Sequence, residues 1–535
     1  MPALYIPPTP QAILNDIHAQ FTLHPAILTD LTSAFVAEFE GGLRRYGADM
    51  AMVPSFVTGV PDGTETGTFL ALDLGGTNLR VCQVVLNGDK SFNLRQQKYK
   101  LSDTLKTGEA RVLFDYLADS VDAFLTMHPP ESPDSESPES ESVPDVLPLG
   151  LTFSFPVEQT ALGAGTILTW TKGFSAKNAV GHDVVRLLQD AFDRKHLHVR
   201  CVALVNDTVG ALLSRAYTSG GCILGAIFGT GTNGAYLEKL TNIPKLTLPD
   251  DEHDEKASGY MVVNTEWGAF NNTRTHLPYT PFDTALDRTS INPRFQAFEK
   301  FVSGMYLGEL TRGVLVALVD AVGQGNRSLL FSGRATQVLN DKWALDTSVM
   351  SEVEEAWEAG LSVLDAPASS TPTSTTTSTP HSNLRAKLER VRQVVLRRLG
   401  YRDAEVGLRD AAIVRWACHL VARRAALLSG VAVAAVLIQT GRAGLGFGLG
   451  EGGGNGNGTS SDEEEKIGVG VDGSLIQHYP HFERTMRESL RCIVGPAVER
   501  RVDIGLAKDG SGVGAALCAL QALKQQQQQQ QQQQE

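Results

Sequence analysis

The fold of this chain is decided by the stretch Leu70-Ala71-Leu72-Asp73-Leu74-Gly75-Gly76-Thr77-Asn78-Leu79-Arg80-Val81. Its pattern predicts an apolar strand, a turn at two glycines and a second strand. Because glycine lacks a Cβ and adopts positive φ, backbone N–H groups in such a turn can converge on an anion. The turn alone is also typical of an ordinary hairpin. Asp73 before it and Thr77 and Asn78 after it favour phosphate binding, since a carboxylate there suits a hydrated divalent cation.

The same arrangement recurs in the middle of the chain. A buried strand at 222–228 breaks into Gly229-Thr230-Gly231-Thr232-Asn233-Gly234 and resumes as a second strand at 235–240. Two strand–turn–strand units predict an internally duplicated α/β body with a ligand between its halves.

A third glycine turn, Asp509-Gly510-Ser511-Gly512, lies between a predicted strand at 502–507 and a closing helix at 513–524. Amide groups and the helix dipole at such a position can hold phosphate. Any strand-to-helix loop can contain Gly-Ser-Gly, so the turn gains weight only beside the other two. The motif G-x-x-x-x-G-K-[ST] does not occur in the sequence, which argues against a Walker-type NTPase.

Composition limits the partners and the compartment. A formal charge of −13 argues against a nucleic-acid surface. Six cysteines without a C-x-x-C pair indicate buried free thiols in a reducing compartment. The N-terminus has no signal-peptide pattern, and the longest apolar stretch, at 425–438, is too short to span a bilayer. We therefore expect a cytoplasmic protein that binds neither nucleic acid nor membrane.

Several polar residues follow predicted strands, and each has a plain structural alternative. Asp207 follows the buried run 199–205 and heads a helix, so it suits a catalytic base and also a helix N-cap. Ser154 closes a strand, where a hydroxyl usually bonds nearby backbone, and Lys172 in a loop is ordinarily a solvated charge. Glu266 lies in an apolar setting where an unpaired carboxylate is costly. Glu299 opens a helix predicted at 295–318, where a solvated first-turn acid is the alternative.

The order of these segments closely resembles the hexokinase/glucokinase family. The resemblance covers about residues 11–524 outside three low-complexity insertions, and the segments at 54–65 and 344–351 look most like fungal glucokinases. The segments that carry it are Leu72–Val81, Leu151–Pro156, Trp170–Phe174, Val205–Gly210, Gly229–Asn233, Asn264–Gly268 and Asp509–Gly512.

The resemblance implies an α/β protein with the two-lobed, actin-like (ribonuclease H-like) fold of hexokinase type and a cleft between the lobes. The implied divisions are N-terminal helices on the large lobe at 1–60, a small lobe at 61–206, a large lobe at 207–511, a closing helix returning to the small lobe at 512–524, and a disordered Gln tail at 525–535. The insertions, at 129–144, 366–382 and 441–466, are too polar to fold alone and are expected on the surface.

The resemblance also implies ATP-dependent phosphorylation of glucose, or a related hexose, at the 6-hydroxyl. Asp207 would accept the sugar proton, Lys172 would help neutralise the transferred group, and Mg²⁺ would be reached through water by Asp73. The residues implied for the sugar are Ser154, Thr171, Lys172, Asn206, Asp207, Asn233, Glu266 and Glu299. Those implied for the nucleotide are Asp73, Gly75, Gly76, Thr77, Asn78, Lys98, Thr230, Gly231, Thr347, Gly510 and Ser511.

Two other functions compete with the kinase. One is a catalytically silent sugar sensor that acts through protein interactions, and the other is a chaperone- or actin-like ATPase that shares only the fold. The presence of Asp207, Lys172 and all three glycine turns argues against the sensor, and the stretches around Ser154 and Thr171 argue against the ATPase. The resemblance leaves a monomer or a weak homodimer open, as it does the choice between glucose and other hexoses.

Overall fold

The computed structural model describes residues 9–76, 78–129, 146–171, 173–246, 259–321, 328–359, 380–445 and 466–532. The strands are β1 Val53–Pro54, β2 Thr66–Leu74, β3 Asn78–Asn87, β4 Phe92–Lys100, β5 Leu147–Phe153, β6 Val157–Ala161, β7 Ala164–Ile167, β8 Val199–Val205, β9 Leu224–Phe228, β10 Thr232–Lys239, β11 Tyr260–Asn264, β12 Ile467–Asp472 and β13 Val502–Leu506.

Helices cover the faces of the sheets formed by these strands. They are α1 Pro10–Phe21, α2 Pro25–Arg44, α3 Asp103–Thr107, α4 Ala110–Met127, α5 Val184–Arg194, α6 Asp207–Ser219, α7 Pro281–Thr289, α8 Ala297–Val302, α9 Gly304–Asp320, α10 Gln337–Asn340, α11 Thr347–Glu358, α12 Pro380–Leu399, α13 Leu408–Gln439, α14 Ser474–His478, α15 Phe482–Arg501 and α16 Gly510–Gln532.

The two larger sheets have the same topology, which confirms the predicted duplication. One sheet has the order β4-β3-β2-β5-β8, and the other contains β11-β10-β9-β12-β13 with β1 added at its edge. In each, the first three strands in sequence are antiparallel and the next two join in parallel. The glycine turns of β2–β3 and β9–β10 therefore occupy equivalent positions in the two lobes.

Helices α6 and α16 pack together between the two sheets. Helix α16 contacts α6 as well as β2, β5 and β8 of the first sheet, and α6 contacts β9 and β12 of the second. The two helices approach so closely that a Cβ on Gly514 would overlap the backbone of Gly210. A glycine is required at this crossing because a methyl group has no space there. The two helices between the lobes therefore cross at a point where only glycine fits.

The N-terminal helices and the long helix α13 belong to the core of the larger lobe. Phe35 and Phe39 of α2 are fully buried in the same apolar cluster as most of α13. Helix α13 is long and apolar enough to cross a membrane by length and composition, yet 89% of its apolar window is buried inside the protein. It also carries the fully buried Arg424, which pairs with Asp283 at 2.6 and 2.9 Å.

Three sequence predictions about helices are corrected by the structure. The helix expected at 295–318 is two helices that meet at Ser303, because Gly304 and Met305 donate to the carbonyls of the Gly229-Thr230 turn at 2.7 and 3.1 Å. The spacing of apolar residues predicts a helix at 408–428, but α13 continues to Gln439, since Gly430 is the point where α13 packs against Ser489 and Met486 of α15 rather than a break.

The third correction concerns the Gln tail. Helix α16 continues through Gln532, so the prediction of a disordered tail is wrong for residues 525–532. Glutamine is a good helix former, and nothing in the run interrupts the helix begun by the buried residues before it. The three predicted insertions lie largely outside the described residues, although the last three positions of 366–382 begin α12. All six cysteines are free thiols and five of them are buried, as the sequence indicated.

Candidate active site

A cavity of about 180 Å³ opens between the two lobes. Phe153, Phe155 and Leu168 line it from the small-lobe side, and Asn264, Glu266 and Gln296 line it from the large-lobe side. Asn206, at the end of β8, completes the wall. The lining is thus apolar on one side and rich in amide and carboxylate groups on the other, a composition that suits a polyhydroxylated ligand with apolar C–H faces.

Asp207 begins helix α6, but it does not cap the helix. The N-cap is Asn206, whose side chain accepts a hydrogen bond from the Thr208 N–H at 3.0 Å and another from the Thr208 hydroxyl at 2.6 Å. The N-cap alternative for Asp207 is therefore wrong. Its carboxylate is half-buried and receives no hydrogen bond from the described part of the chain. Strand β8 and its capped helix thus present Asn206 to the cavity with Asp207 beside it.

Three side chains form a polar network on the large-lobe side. Asn264 donates to Glu266 Oε1 at 2.7 Å and accepts from Asn233 Nδ2 at 2.8 Å, while Asn233 Nδ2 also lies 3.4 Å from Glu266 Oε1. Glu266 has φ 56°, a left-handed conformation that a non-glycine residue keeps only when its surroundings hold it. Asn233 lies near the start of β10 and Asn264 at the end of β11, and because these strands are antiparallel both residues lie at the same edge of the sheet. The carboxylate is oriented before any ligand arrives.

Glu299 lies at the same side of the cleft. It is half-buried in the first turn of α8, and its Oε2 accepts from the Thr232 N–H at 3.2 Å, so the solvated-acid alternative is wrong. A Cβ on Gly231 would lie 2.8 Å from this oxygen, which shows how closely the carboxylate approaches the glycine turn. Gln296, the residue before α8, has φ 52° and lines the cavity.

Ser154 and Thr171 belong to the small-lobe side. Ser154 follows β5 between Phe153 and Phe155, and the ring of Phe155 packs edge-on against Trp170 with 5.0 Å between centroids. The Trp170 indole donates to the Ala176 carbonyl at 2.9 Å, which anchors the exposed loop residue Thr171 beside it. An aromatic cluster therefore sets the positions of both predicted sugar contacts. Lys172 lies outside the described residues, and its predicted role stays a prediction.

A charged ladder crosses the three antiparallel strands of the small lobe. Arg80 donates through Nε to Asp73 Oδ2 at 2.9 Å, and its Nη2 lies 3.4 Å from the Ser511 hydroxyl. Lys98 is directly opposite Arg80 on β4 and is exposed. Burial alone would lower the pKa of Arg80, but the charge and hydrogen bond of Asp73 raise it overall. Asp73 is thus ion-paired with Arg80, and two cationic side chains follow it along one face of the sheet.

The first glycine turn is tight. Gly75 donates its N–H to the Asn78 carbonyl at 3.1 Å, and Gly75 and Gly76 are half-buried while Asn78 is exposed. Thr77 lies outside the described residues. The turn follows Asp73 directly, so any group held by these amides lies next to the Asp73–Arg80 pair.

The second glycine turn contacts a segment that the site prediction omitted. A Cβ on Gly229 would lie 3.0 Å from Gly473 Cα, which places the turn of exposed Thr230 against the end of β12. Asp472 precedes that glycine and accepts from its own neighbour, the Gly473 N–H, at 2.7 Å. Burial raises the pKa of Asp472, the Gly473 N–H and the Arg80 charge lower it, and the Asp207 charge raises it. Asp472 therefore lies near both Arg80 and Asp207.

The third turn and Thr347 complete the predicted nucleotide set. Gly510 is buried at the start of α16, and the Ser511 carbonyl accepts from the Thr152 hydroxyl at 2.8 Å, which ties this turn to β5. Thr347 uses its hydroxyl within the large lobe, donating to the Gly304 carbonyl at 2.5 Å and accepting from the Gly308 N–H at 2.8 Å. It reaches the Thr230 turn only through Gly304.

Sequence reasoning missed four residues of this site, one of which is Arg80, the partner of Asp73. Asn264 and Gln296 line the cavity, and Asp472 approaches Asp207 and Arg80. Asn264 and Asp472 each end a strand next to a glycine or acidic turn residue, the signal that identified the other candidates. Gln296 had no such signal, because its position depends on the left-handed turn before α8.

Comparison with known proteins gives concordant matches along the chain. The family profile described as "Hexokinase" matches residues 13–217, and a second profile with the same description matches residues 223–521. A glucokinase of Aspergillus niger is 38% identical over 95% of this chain and 96% of its own length. Glucokinase-1 of Saccharomyces cerevisiae is 36% identical over 95% of this chain and 97% of its own.

Solved structures agree with these matches. A hexokinase from Schistosoma mansoni, solved in complex with glucose, superposes with a TM-score of 0.74 at 33% identity, covering 96% of this chain and 99% of that one. A second hexokinase crystal structure superposes with a TM-score of 0.71 at 28% identity and the same coverage.

Proposed function

This chain belongs to the hexokinase family, and from that premise we propose that it transfers the γ-phosphoryl group of ATP to the 6-hydroxyl of glucose. The observation that carries the proposal is the position of Asp207. Asn206, the residue before it, lines the cavity between the lobes. The charge of Asp207 raises the pKa of Asp472, and the charge of Arg80, which lies beside the glycine turns, lowers it. A carboxylate next to the cavity on one side and near Asp472 on the other would be placed to act between a sugar and a phosphate.

The polar side of the cleft would recognise the sugar hydroxyls, with Glu266 in the cavity lining and Glu299 and Asn233 beside it. Hydrogen bonds within the protein already hold the carboxylates of Glu266 and Glu299 and the amide of Asn233. Ordering these groups when a sugar binds therefore costs little entropy. A sugar that lacks or inverts a hydroxyl would leave one of these carboxylates without its partner, and such unpaired groups give strong discrimination.

The chemistry needs positioning and charge neutralisation more than covalent assistance. Asp207 would accept the proton of the 6-hydroxyl as that oxygen attacks the γ-phosphorus. Lys172 would help neutralise the transferred group. Amides of the turns at Gly75 and Thr230 would hold the phosphate oxygens, with Arg80 and Lys98 supplying positive charge. Because water competes as a nucleophile, closure of the lobes around the sugar should complete the site.

The donor set also suits Mg²⁺. Among the described residues no group of three or more His, Cys, Asp or Glu side chains forms a preformed metal cage. Asp207 and Asp472 are two carboxylates close enough for one to raise the pKa of the other, an arrangement that a hydrated cation would relieve. Asp73, already paired with Arg80, would act only through water. When bound, Mg²⁺ would neutralise charge on the β- and γ-phosphates.

The compartment, the oligomeric state and the range of hexoses are parts of the same proposal. We expect a cytoplasmic enzyme, a monomer or weak homodimer, that prefers glucose. Turnover of glucose, mannose and fructose at matched concentrations measures the last point.

The proposed function is tested with the purified chain, Mg-ATP and glucose, by coupling glucose 6-phosphate formation to a dehydrogenase. Asp207→Asn should lower kcat by at least about 10²–10⁴-fold, the usual contribution of a positioned general base, while glucose binding measured by calorimetry persists. Asp190→Asn, an exposed aspartate on α5, is the matched control and should behave as the unmodified chain. A fully active Asp207→Asn variant contradicts the assigned role. Glucose binding without turnover in the unmodified chain would favour the silent sensor.

A further inference from the structure

Helix α2 lies directly under the two loops that carry Glu266 and Glu299. The ring of Phe35 stacks on Phe270 with 3.8 Å between centroids and packs edge-on against Phe298 at 5.0 Å. Phe270 follows the turn that begins at Glu266, and Phe298 immediately precedes Glu299. One face of α2 therefore contacts both sugar loops at once.

Glu38 lies on the same face, three residues after Phe35, and adds a polar contact to this packing. Its Oε1 accepts the Asn271 N–H at 3.1 Å, and Oε2 lies 3.4 Å from the same nitrogen. Asn271 is fully buried with φ 57°, a conformation that needs support from its surroundings. The next residue, Asn272, accepts the Ala297 N–H at 3.1 Å. A continuous path of bonds thus leads from Glu38 to the start of α8, which carries Glu299.

One like charge acts on Glu38, and a lysine holds the segment that carries this charge. Asp49, which lines the cavity, follows α2, and Lys245 donates to the carbonyls of Gly42, Ala51 and Met52 at 2.6–2.7 Å, which holds that segment in place. The pKa of Glu38 is raised to about 7. Burial is the largest cause, the Asn271 N–H lowers the pKa, and the Asp49 charge raises it. Glu38 therefore changes charge near neutral pH although it does not touch the cavity.

We propose that Glu38 is a positioning residue whose negative charge holds the Glu266 and Glu299 loops in their sugar-binding geometry, so that sugar affinity depends on its ionisation. The proposal rests on the proposed function, because it concerns the same cavity. An ionised carboxylate accepts an N–H roughly twice as strongly as a neutral one. As pH falls through about 7 the carboxyl gains a proton and its hold on Asn271 weakens. The KM for glucose should therefore rise about three- to tenfold from pH 8 to pH 6, with kcat following its own profile.

Glu38→Gln tests this directly, since the amide keeps an oxygen acceptor of the same shape but carries no charge at any pH. The variant should show at all pH values the weaker glucose affinity that the unmodified chain shows at pH 6. Glu40→Gln, on the exposed side of the same helix, is the matched control and should keep the original profile. Asp49→Asn removes the neighbouring like charge, so the midpoint of the profile should move to lower pH.

Folding is followed in parallel by thermal unfolding at each pH. In the folded protein the pKa of the Glu38 carboxyl lies above its usual value of 4.5. Ionisation strengthens the bond to Asn271, but burial of the charge lowers the stability of the whole fold. The stability contributed by the neutral carboxyl is therefore complete below about pH 4.5 and is lost as pH rises through about 7. Because glutamine does not ionise, Glu38→Gln should not show this loss of stability as pH rises, and it should stay folded at pH 8.

Glucose binding is measured by calorimetry and turnover by the coupled assay, from pH 6 to pH 8. Parallel glucose profiles for the unmodified chain and Glu38→Gln would overturn the proposal while leaving the kinase activity intact. Binding without phosphorylation would contradict the proposed function, yet the binding profiles would still decide the role of Glu38. A change confined to kcat, with glucose affinity unaltered, would also overturn it. Absence of glucose binding by the unmodified chain would overturn both.

Discussion

Asn264 offers the sharpest test of how the sugar site is organised. It is buried at the end of β11, donates to Glu266 at 2.7 Å and accepts from Asn233 at 2.8 Å. Asn264→Ala removes both bonds, including the shorter of the two amide contacts to Glu266 Oε1, while Glu266 stays in a left-handed turn. A hydrogen bond to a charged group contributes about 1.5–3 kcal/mol. If all of that is lost from sugar binding, the KM for glucose should rise roughly 10- to 150-fold, at about 1.4 kcal/mol for each factor of ten.

The assay varies glucose at saturating ATP and then ATP at saturating glucose. Only the glucose KM should change, because the Asn233–Asn264–Glu266 network lies at the cavity and the glycine turns make their own bonds. Asn242→Ala is a closely matched control. Asn242 donates to the buried Glu238 at 2.8 Å, at the opposite end of β10, so its loss should reduce stability without altering KM.

Two results would refute this reasoning. An unchanged glucose KM in Asn264→Ala would mean that Glu266 is held by something other than the amide. An equal rise in the KM values of glucose and ATP would mean that the substitution perturbs the whole lobe, and Asn242→Ala would then be expected to show the same effect.

Two further predictions concern the frame that holds the site. Gly514→Ala should cost about 1–3 kcal/mol of stability and lower kcat, because its methyl group would push α16 away from the backbone of Gly210 at the contact between the lobes, and chemical denaturation with steady-state kinetics measures both. Arg424→Met should cost about 3–5 kcal/mol by leaving the buried Asp283 without its cation, while the KM values of the folded enzyme stay unchanged, and a KM change at constant stability would contradict this assignment.

Strand-and-turn patterns predicted the body of the fold well. The buried run 199–205 forms strand β8, and the strand that Ser154 closes is β5, because a short apolar run between turn residues has the length of a buried strand and is too short for a typical helix. The two glycine turns also predicted the duplication that the sheet orders confirm. Helix ends were less predictable. The continuous helical pattern breaks at Ser303 only because the Gly304 N–H donates to the Gly229 carbonyl. Helix α13 continues through Gly430 only because α15 packs against that glycine.

The amino-acid sequence by itself determined the candidate residues, because chemistry at a strand end needs particular side chains next to glycine turns, and Asp207, Glu266 and Asp73 are recognisable by type and place. It could not tell which of them are oriented and by what. The αL turns at Glu266 and Asn271 and the support of both sugar loops by α2 depend on contacts between segments that are distant in sequence. Glu38 and Asn271, for example, lie more than 200 residues apart. Only the tertiary structure decides such contacts, since their free energy exists only once the chain has brought distant backbone and side chains together.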